Sequence, residues 1–402
     1  MVLRQQLLRF AAALAFIGLA GGIFRAIFNN FLSDTYHLKA FVRGSLEFPR
    51  ELPGFLNVLF IGALAALPVS YMGGVAAGCV GLGLLGLGLW GGSSWPALLG
   101  FIMLWSAGQH MLQPVRGATA LALSRAGQEG RLFGDIGALR TAAVLAGSAI
   151  VWLGFPCFGL SYRAAFVLAG ALALAGALWY AGIRVAELDQ PKPRLLWRRR
   201  YGLYYVLAML FGARKQVFLT FGPWVLIRVY GARPSTIAAL LIVAGLAGLL
   251  FKPLLGRLID RLGERPILMA DGAALCAICL GYGYAEALLG QELGRWLAYV
   301  CFILDEMLFA VSDARTIYLS RIAHSRQEIT STLSLGVTLD HAVSMSIPAF
   351  AGWVWMAWGY PRVFLGAAAI ALATLVAASR VPPRVALPPR AEGIPPVAPR
   401  EQ

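Results

Sequence analysis

Apolar residues run along this chain in long unbroken stretches, separated by short polar segments in which arginine recurs. Each stretch is close to the ~20 residues that carry an α-helix across the hydrocarbon core of a bilayer. The runs are continuous and lack the strict alternation of polar and apolar positions found in membrane β-barrel strands. They predict twelve helices, over about 6–33, 41–68, 71–90, 96–118, 134–156, 163–183, 203–229, 234–254, 267–286, 295–320, 328–353 and 359–380. Arg4 and Arg9 precede the first run as they would in a secretory signal, but eleven more spans follow, so the run reads as a retained first helix.

Composition sharpens this reading. Of 402 residues, 59% are hydrophobic and 13% charged, against roughly a quarter charged in a soluble domain. Such a chain has too little polar surface to face water. Its hydrophobicity excludes disorder, and five cysteines in so long a chain exclude a disulfide scaffold. The formal charge of +15 would suggest nucleic acid in a soluble protein. Here it follows from the habit of cytoplasmic loops to collect Lys and Arg, and no nucleic-acid partner is expected. The basic loops alternate along the chain in the manner that puts both termini in the cytoplasm. A basic linker with Pro191 and Pro193 is expected over 184–202, and a disordered Pro-rich tail over 381–402.

The two halves repeat each other. Gly22-x-x-Arg25-x-x-Phe28-x-x-Phe31 in the first span matches Gly212-x-x-Lys215-x-x-Phe218-x-x-Phe221 in the seventh. Gln109-His110-Met111-Leu112 in the fourth matches Asp305-Glu306-Met307-Leu308 in the tenth, and Tyr162 and Phe166 match Tyr360 and Phe364. Three matches in register point to a duplication. The expected architecture is therefore an all-α membrane protein of twelve transmembrane helices in two pseudo-symmetric six-helix bundles, residues 1–183 and 203–380. An axis along the membrane normal would relate the bundles, with a cleft between them.

Between the eighth and ninth spans stands Gly256-Arg257-Leu258-Ile259-Asp260-Arg261-Leu262-Gly263-Glu264-Arg265. This segment resembles the loop signature of the major facilitator superfamily, with Glu264 in place of a usual basic residue. The resemblance extends to the whole chain through span count, duplication and loop polarity. It implies a monomeric transporter of a small-molecule solute, working by alternating access in the bilayer. It also implies that Gly256, Asp260, Arg261, Gly263 and Arg265 form a conformational latch. The first-half counterpart, near Pro68 to Gly74, lacks the signature, so the latch is expected on one side only. The glycine-proline pattern of drug–proton antiporters and the signatures of sugar porters are absent.

In this superfamily the first, fourth, seventh and tenth helices line the cavity. Ionisable residues inside spans cost several kcal/mol unless paired or wet, and so mark candidate sites. Arg25 and Asn29, His110, Lys215, and Asp305 and Glu306 fall on those four helices and are the expected solute-binding residues. Neighbours on a helix point about 100° apart, so one of each adjacent pair faces the centre; Lys215 and Glu306 are preferred over Arg214 and Asp305. Arg214, Asp340 and His341 are expected in proton coupling or in structural charge pairs. The second span opens with Arg43, Glu47, Arg50 and Glu51, which can pair along one helix face. Pro49 and Pro53 favour a kink there, and the counterpart in the other half is apolar. These four residues read either as an outer gate that contacts an anion or as an external cap.

The cations at 25 and 215 favour an anionic or zwitterionic solute, with protons as a possible coupling ion. An exporter of lipophilic cations is the alternative, and a transporter-like sensor or assembly factor is another. There is no phosphate-binding loop for ATP, no nucleophile–base constellation and no metal cluster, so neither enzyme activity, cofactor nor metal is expected. Abundant arginine and the lack of organellar targeting fit a bacterial cytoplasmic membrane.

Overall fold

The computed structural model describes residues 2–64, 66–125, 128–185 and 197–383. All regular structure among them is helical. Its α-helices are α1 (Val2–Tyr36), α2 (Ala40–Ser45), α3 (Glu47–Phe55), α4 (Asn57–Ala63), α5 (Val69–Trp90), α6 (Trp95–Leu123) and α7 (Glu129–Phe158). They continue as α8 (Tyr162–Ala181), α9 (Gly202–Arg228), α10 (Pro234–Leu262), α11 (Glu264–Leu308), α12 (Ser312–Ile322), α13 (Arg326–Trp358) and α14 (Tyr360–Ser379). Seven helical stretches among the described residues are long and apolar enough to cross a membrane. Helices α6, α9 and α13 are as long and stand outside that set.

Helix starts follow local chemistry. Ser94, Ser161 and Ser325 cap α6, α8 and α13, each accepting from the backbone N–H three residues on. Gly290 adopts φ 72°, a left-handed conformation that costs a residue with a side chain and costs glycine little. It breaks α11 into two legs, which cover the segments expected as the ninth and tenth spans.

Two expectations need correction. The second span is not one helix: it breaks at Leu46 and Leu56 into α2, α3 and α4. Pro49 lies in the first turn of α3, where its missing N–H leaves no bond unmade, so the chain restarts there without loss. Pro53 then removes a donor near the end of α3, which stops two residues later. The tenth span likewise passes through a 3-10 turn at Phe309–Val311 before α12.

Helices before the linker pack among themselves, chiefly α5 on α6 and α8, and α1 on α7 and α8. Those after it do the same: α11 on α14, α9 on α13, and α10 on α11. The two sets meet where α13 packs on α2 and α3, and where α7 packs on α10. The apolar interior follows this division. One cluster runs continuously from the N-terminal helices into Val217–Ile227 of α9, Leu275–Tyr282 of α11 and Phe364 of α14. At the linker end, Tyr201, Leu207, Ile259, Leu319 and Ala378 form a separate cluster within the C-terminal set alone. The two sets therefore share a core at the end remote from the linker and part at the linker end. Of the linker, residues 186–196 lie outside the described residues, as does the tail from 384. At the linker's end, Arg198 and Arg200 pair with Glu328 of α13 at 2.7 and 2.6 Å.

Candidate functional site

The repeated pattern falls midway along α1 and α9, and in both helices its glycine marks a close approach. A Cβ on Gly22 would lie 2.1 Å from the Val144 carbonyl oxygen in α7, and one on Gly212 would lie 2.4 Å from an Asp340 carboxylate oxygen in α13. Ser148 Oγ donates to the Gly22 carbonyl at 3.5 Å, and Ser344 Oγ to that of Gly212 at 3.3 Å. Val144 and Asp340 thus hold matching places, each four residues before a matching serine. The phenylalanines at 28, 31, 218 and 221 are all buried.

The cations of the pattern then diverge. Lys215 meets Asp340, its Nζ 2.9 and 2.8 Å from the two carboxylate oxygens. Arg25 finds Val144 at the corresponding place and reaches instead to Glu306 of α11, donating to both carboxylate oxygens at 2.8 Å. This pair joins the two helix sets, and it is open: the Arg25 side chain is 44% exposed and that of Glu306 16%. Arg214 pairs with Asp305 at 2.6 Å in the C-terminal set, at 3% and 7% exposure. Lys215 and Glu306 are therefore the more open members of their adjacent pairs. Asp340 and His341 diverge to different helices, Asp340 to α9 and His341 to α3.

The charges of the second span point inward and pair with one another. Arg43 and Glu47 pair at 2.5 Å with side chains 2% and 1% exposed. The kinked span carries them against α9 and α13, so the desolvated groups must satisfy one another. Arg43 also donates to Asn29 Oδ1 at 3.1 and 2.9 Å, and its guanidinium lies 6.0 and 5.9 Å from the rings of Phe28 and Trp224. Asn29, an expected solute ligand, is thereby engaged by Arg43. Trp224 is fully buried beneath that contact. Glu47 further accepts from Arg50 Nε and Gln216 Nε2, each at 2.5 Å.

Glu51 is held by Arg50 at 2.5 Å through Oε1. Its Oε2 lies 2.9 Å from His341 Nδ1 and 4.0 Å from His110 Nε2. The His110 and His341 rings meet edge to face at 4.7 Å. His110, expected beside the solute, is therefore part of this junction. Glu51, His110 and His341 converge here closely enough to hold a metal, although no metal was expected. Their separation along the chain hid them from any spacing rule.

The expected latch segment is helical more than looped. Gly256, Asp260 and Arg261 lie in α10, which runs on to Leu262, and Arg265 lies in the first turn of α11. Gly263, at φ 83°, makes the only break between these helices. Glu264, the departure from the superfamily pattern, is 3% exposed and pairs with Arg321 of α12 at 2.8 Å.

Two polar residues inside the C-terminal set, buried Gln216 and half-buried Arg315, escaped the sequence reading. Gln216 bridges α9 to Glu47; its place beside Arg214-Lys215 in an apolar helix was the available signal. Arg315 lies 3.6 Å over the Phe211 ring and donates to the Leu207 carbonyl at 3.1 Å. Its signal was weaker, since it stands close to the expected cytoplasmic end of a span.

The helix arrangement and the sequence agree on the family. The sequence profile of the Major Facilitator Superfamily matches residues 51–339. The chain belongs to the Major Facilitator Superfamily. Solved structures of other members share its fold. The nucleoside transporter NupG has a TM-score of 0.73 at 14% identity, over 94% of this chain and 98% of that one. A D-xylose-proton symporter has 0.72 at 13%, over 95% and 98%. A bacterial homologue of the human lysosomal transporter Spinster, inward-facing and unoccupied, has 0.67 at 14%, over 94% and 97%. Among curated proteins none matches the chain significantly. Superfamily membership and fold make this a multi-pass membrane transporter; identities this low carry nothing about its solute.

Proposed function

We propose that this chain is a secondary active transporter of a small anionic or zwitterionic solute, with twelve crossings in two six-helix bundles, residues 1–183 and 203–380. The broken segment α2–α4 makes the second crossing, and the two legs of α11 make the ninth and tenth. The arginine-rich linker and both termini lie in the cytoplasm. The cores joined at the far end and parted at the linker end support an inward-open arrangement, one of the two rocking positions of alternating access.

The observation that carries the reading is the open Arg25–Glu306 pair, which spans the two sets where the shared core ends. Among the described residues, Arg25 has no carboxylate within its own set to hold it. A carboxylate or phosphate group of a solute competes with Glu306 for the guanidinium, which suits a bidentate anion. A proton on Glu306 frees Arg25 for that anion, and so couples solute to proton. Lys215–Asp340 lines the opposite wall, and Arg214–Asp305 fixes the helices behind. Gly256, Asp260, Arg261, Gly263 and Arg265 around the α10–α11 turn act as the latch on the linker side, with the Glu264–Arg321 pair steadying that turn within the C-terminal set.

The test is thermal unfolding of the detergent-purified chain against small anions, zwitterions and lipophilic cations. A ligand at a hundred times its Kd stabilises by about 2.7 kcal/mol. Stabilisation by anions or zwitterions that Arg25→Gln abolishes is the expected result. Stabilisation by lipophilic cations alone, lost in Glu306→Gln, would replace this reading with a cation exporter.

A further inference from the structure

Glu51, His110 and His341 come from α3, α6 and α13, remote in sequence, yet one ligand-capable atom of each lies within 4.8 Å of the others. The anion reading above makes no use of two imidazoles beside a carboxylate. The surroundings are built to admit them. A Cβ on Gly54 would lie 2.7 Å from Cε1 of both rings, so glycine at this place leaves the space in which the imidazoles converge. The Asn57 side chain donates to the His110 backbone carbonyl at 3.2 Å, tying α4 to this turn of α6. Arg50 takes Oε1 of Glu51 and leaves Oε2 turned toward both histidines. All three side chains are at most 12% exposed.

We propose that Glu51, His110 and His341 form a binding site for one divalent transition-metal ion of the zinc class. Two imidazole nitrogens and one carboxylate oxygen, with a fourth position open, are a donor set zinc favours at about 2.0–2.2 Å. Donors at that radius on a tetrahedral ion stand roughly 3.4 Å apart. Glu51 Oε2 and His341 Nδ1 are already closer than this, and His110 Nε2 needs to move in by a fraction of its 4.0 Å separation. On binding, the hydrogen between His341 and Glu51 is replaced by the metal, and His341 carries its proton on Nε2. Magnesium and calcium are disfavoured, because both prefer oxygen ligands. Glu51 and His110 precede the linker and His341 follows it. The site therefore assembles only while α3 and α13 are packed together, and a bound ion holds the transporter in this arrangement. The site depends on these three residues alone and stands whatever the solute.

The full-length chain, purified in detergent and stripped with chelator, is titrated with zinc sulfate. The expected result is one zinc retained per chain after desalting, a rise in Tm, and visible d–d absorption when cobalt replaces zinc. His110→Ala and His341→Ala should each weaken zinc binding at least about tenfold, the lower end of what supporting groups cost metal sites. The chain has four histidines, and His37→Ala with His324→Ala should leave binding and the cobalt spectrum unchanged. Equal zinc binding in the His110→Ala/His341→Ala double variant would overturn the proposal. Should that variant fail to fold, the His37→Ala/His324→Ala protein decides the matter: no retained zinc and no cobalt bands would overturn it equally.

Discussion

Helices α1 and α9 carry the same Gly-x-x-cation-x-x-Phe-x-x-Phe pattern and set their cations to different tasks. Their surroundings match closely: each glycine receives a neighbouring helix, and each glycine carbonyl takes a serine hydroxyl from it. The single difference of consequence is Val144 in one neighbour where the other has Asp340. Lys215 is consequently neutralised within its own set of helices, while Arg25 must reach across to Glu306. His110 occupies the repeat position that matches Glu306, yet it turns to Glu51 and His341. Duplication thus transmits backbone packing faithfully, because packing depends on small residues at fixed spacing. It does not transmit partners, because one carboxylate more or less redirects a long side chain.

This comparison can be broken, beginning where the effect is largest. Arg214→Met leaves Asp305 buried and unpaired, and should destabilise the protein by about 3–5 kcal/mol. Adding Asp305→Leu should return most of that loss; a double variant as unstable as the single one, by thermal unfolding in detergent, would show the pair is more than a structural neutralisation. Gly22→Val should cost about 1–3 kcal/mol, since its Cβ meets a backbone oxygen that moves only if α7 moves. Gly212→Val should fall in the same range, and a large disparity between the two would end the claim of equivalent packing.

Lys215→Met should cost about 1.5–3 kcal/mol, the usual range for a hydrogen bond to a charged group. Asp340→Asn should cost less, because it keeps a polar partner for Lys215 and Ser344. Arg25→Met should move stability by no more than about 1 kcal/mol, since the guanidinium it removes is 44% exposed to solvent. The same substitution should abolish solute-dependent stabilisation and flux in proteoliposomes. Unchanged flux in Arg25→Met would sever the cross-set pair from transport. The sharpest variant is Val144→Asp, which supplies α7 with the carboxylate it lacks. It should draw Arg25 away from Glu306 and lower solute affinity with little change in Tm.

Much of the site was legible in outline. Residues 25, 110, 214, 215, 305, 306, 340 and 341 stood out as ionisable groups within apolar runs, and the structure sets every one of them against a charged or titratable partner. The partners themselves were not legible. Asn29 was expected to meet solute and is bound to Arg43. The four charges of the second span were read as an outer gate or an external cap, and their partners on α9 and α13 were not foreseen, because Pro49, Pro53 and the breaks at Leu46 and Leu56 redirect the chain inward. Glu264 read as a defect in a loop signature, and it is an ion-pair partner for Arg321.

Helix positions, membrane character and the duplicated pattern were determined by the sequence alone. Each depends on local quantities, namely runs of apolar residues, breaking glycines and prolines, and spacings within a few turns. The pairing of charges was decided only by the tertiary structure. A long side chain in a low-dielectric interior goes to whichever opposite charge stands within its reach, and that is set by how whole helices cross. Arg25 with Glu306, and Glu51 with two histidines from opposite halves of the chain, are contacts no local spacing could encode.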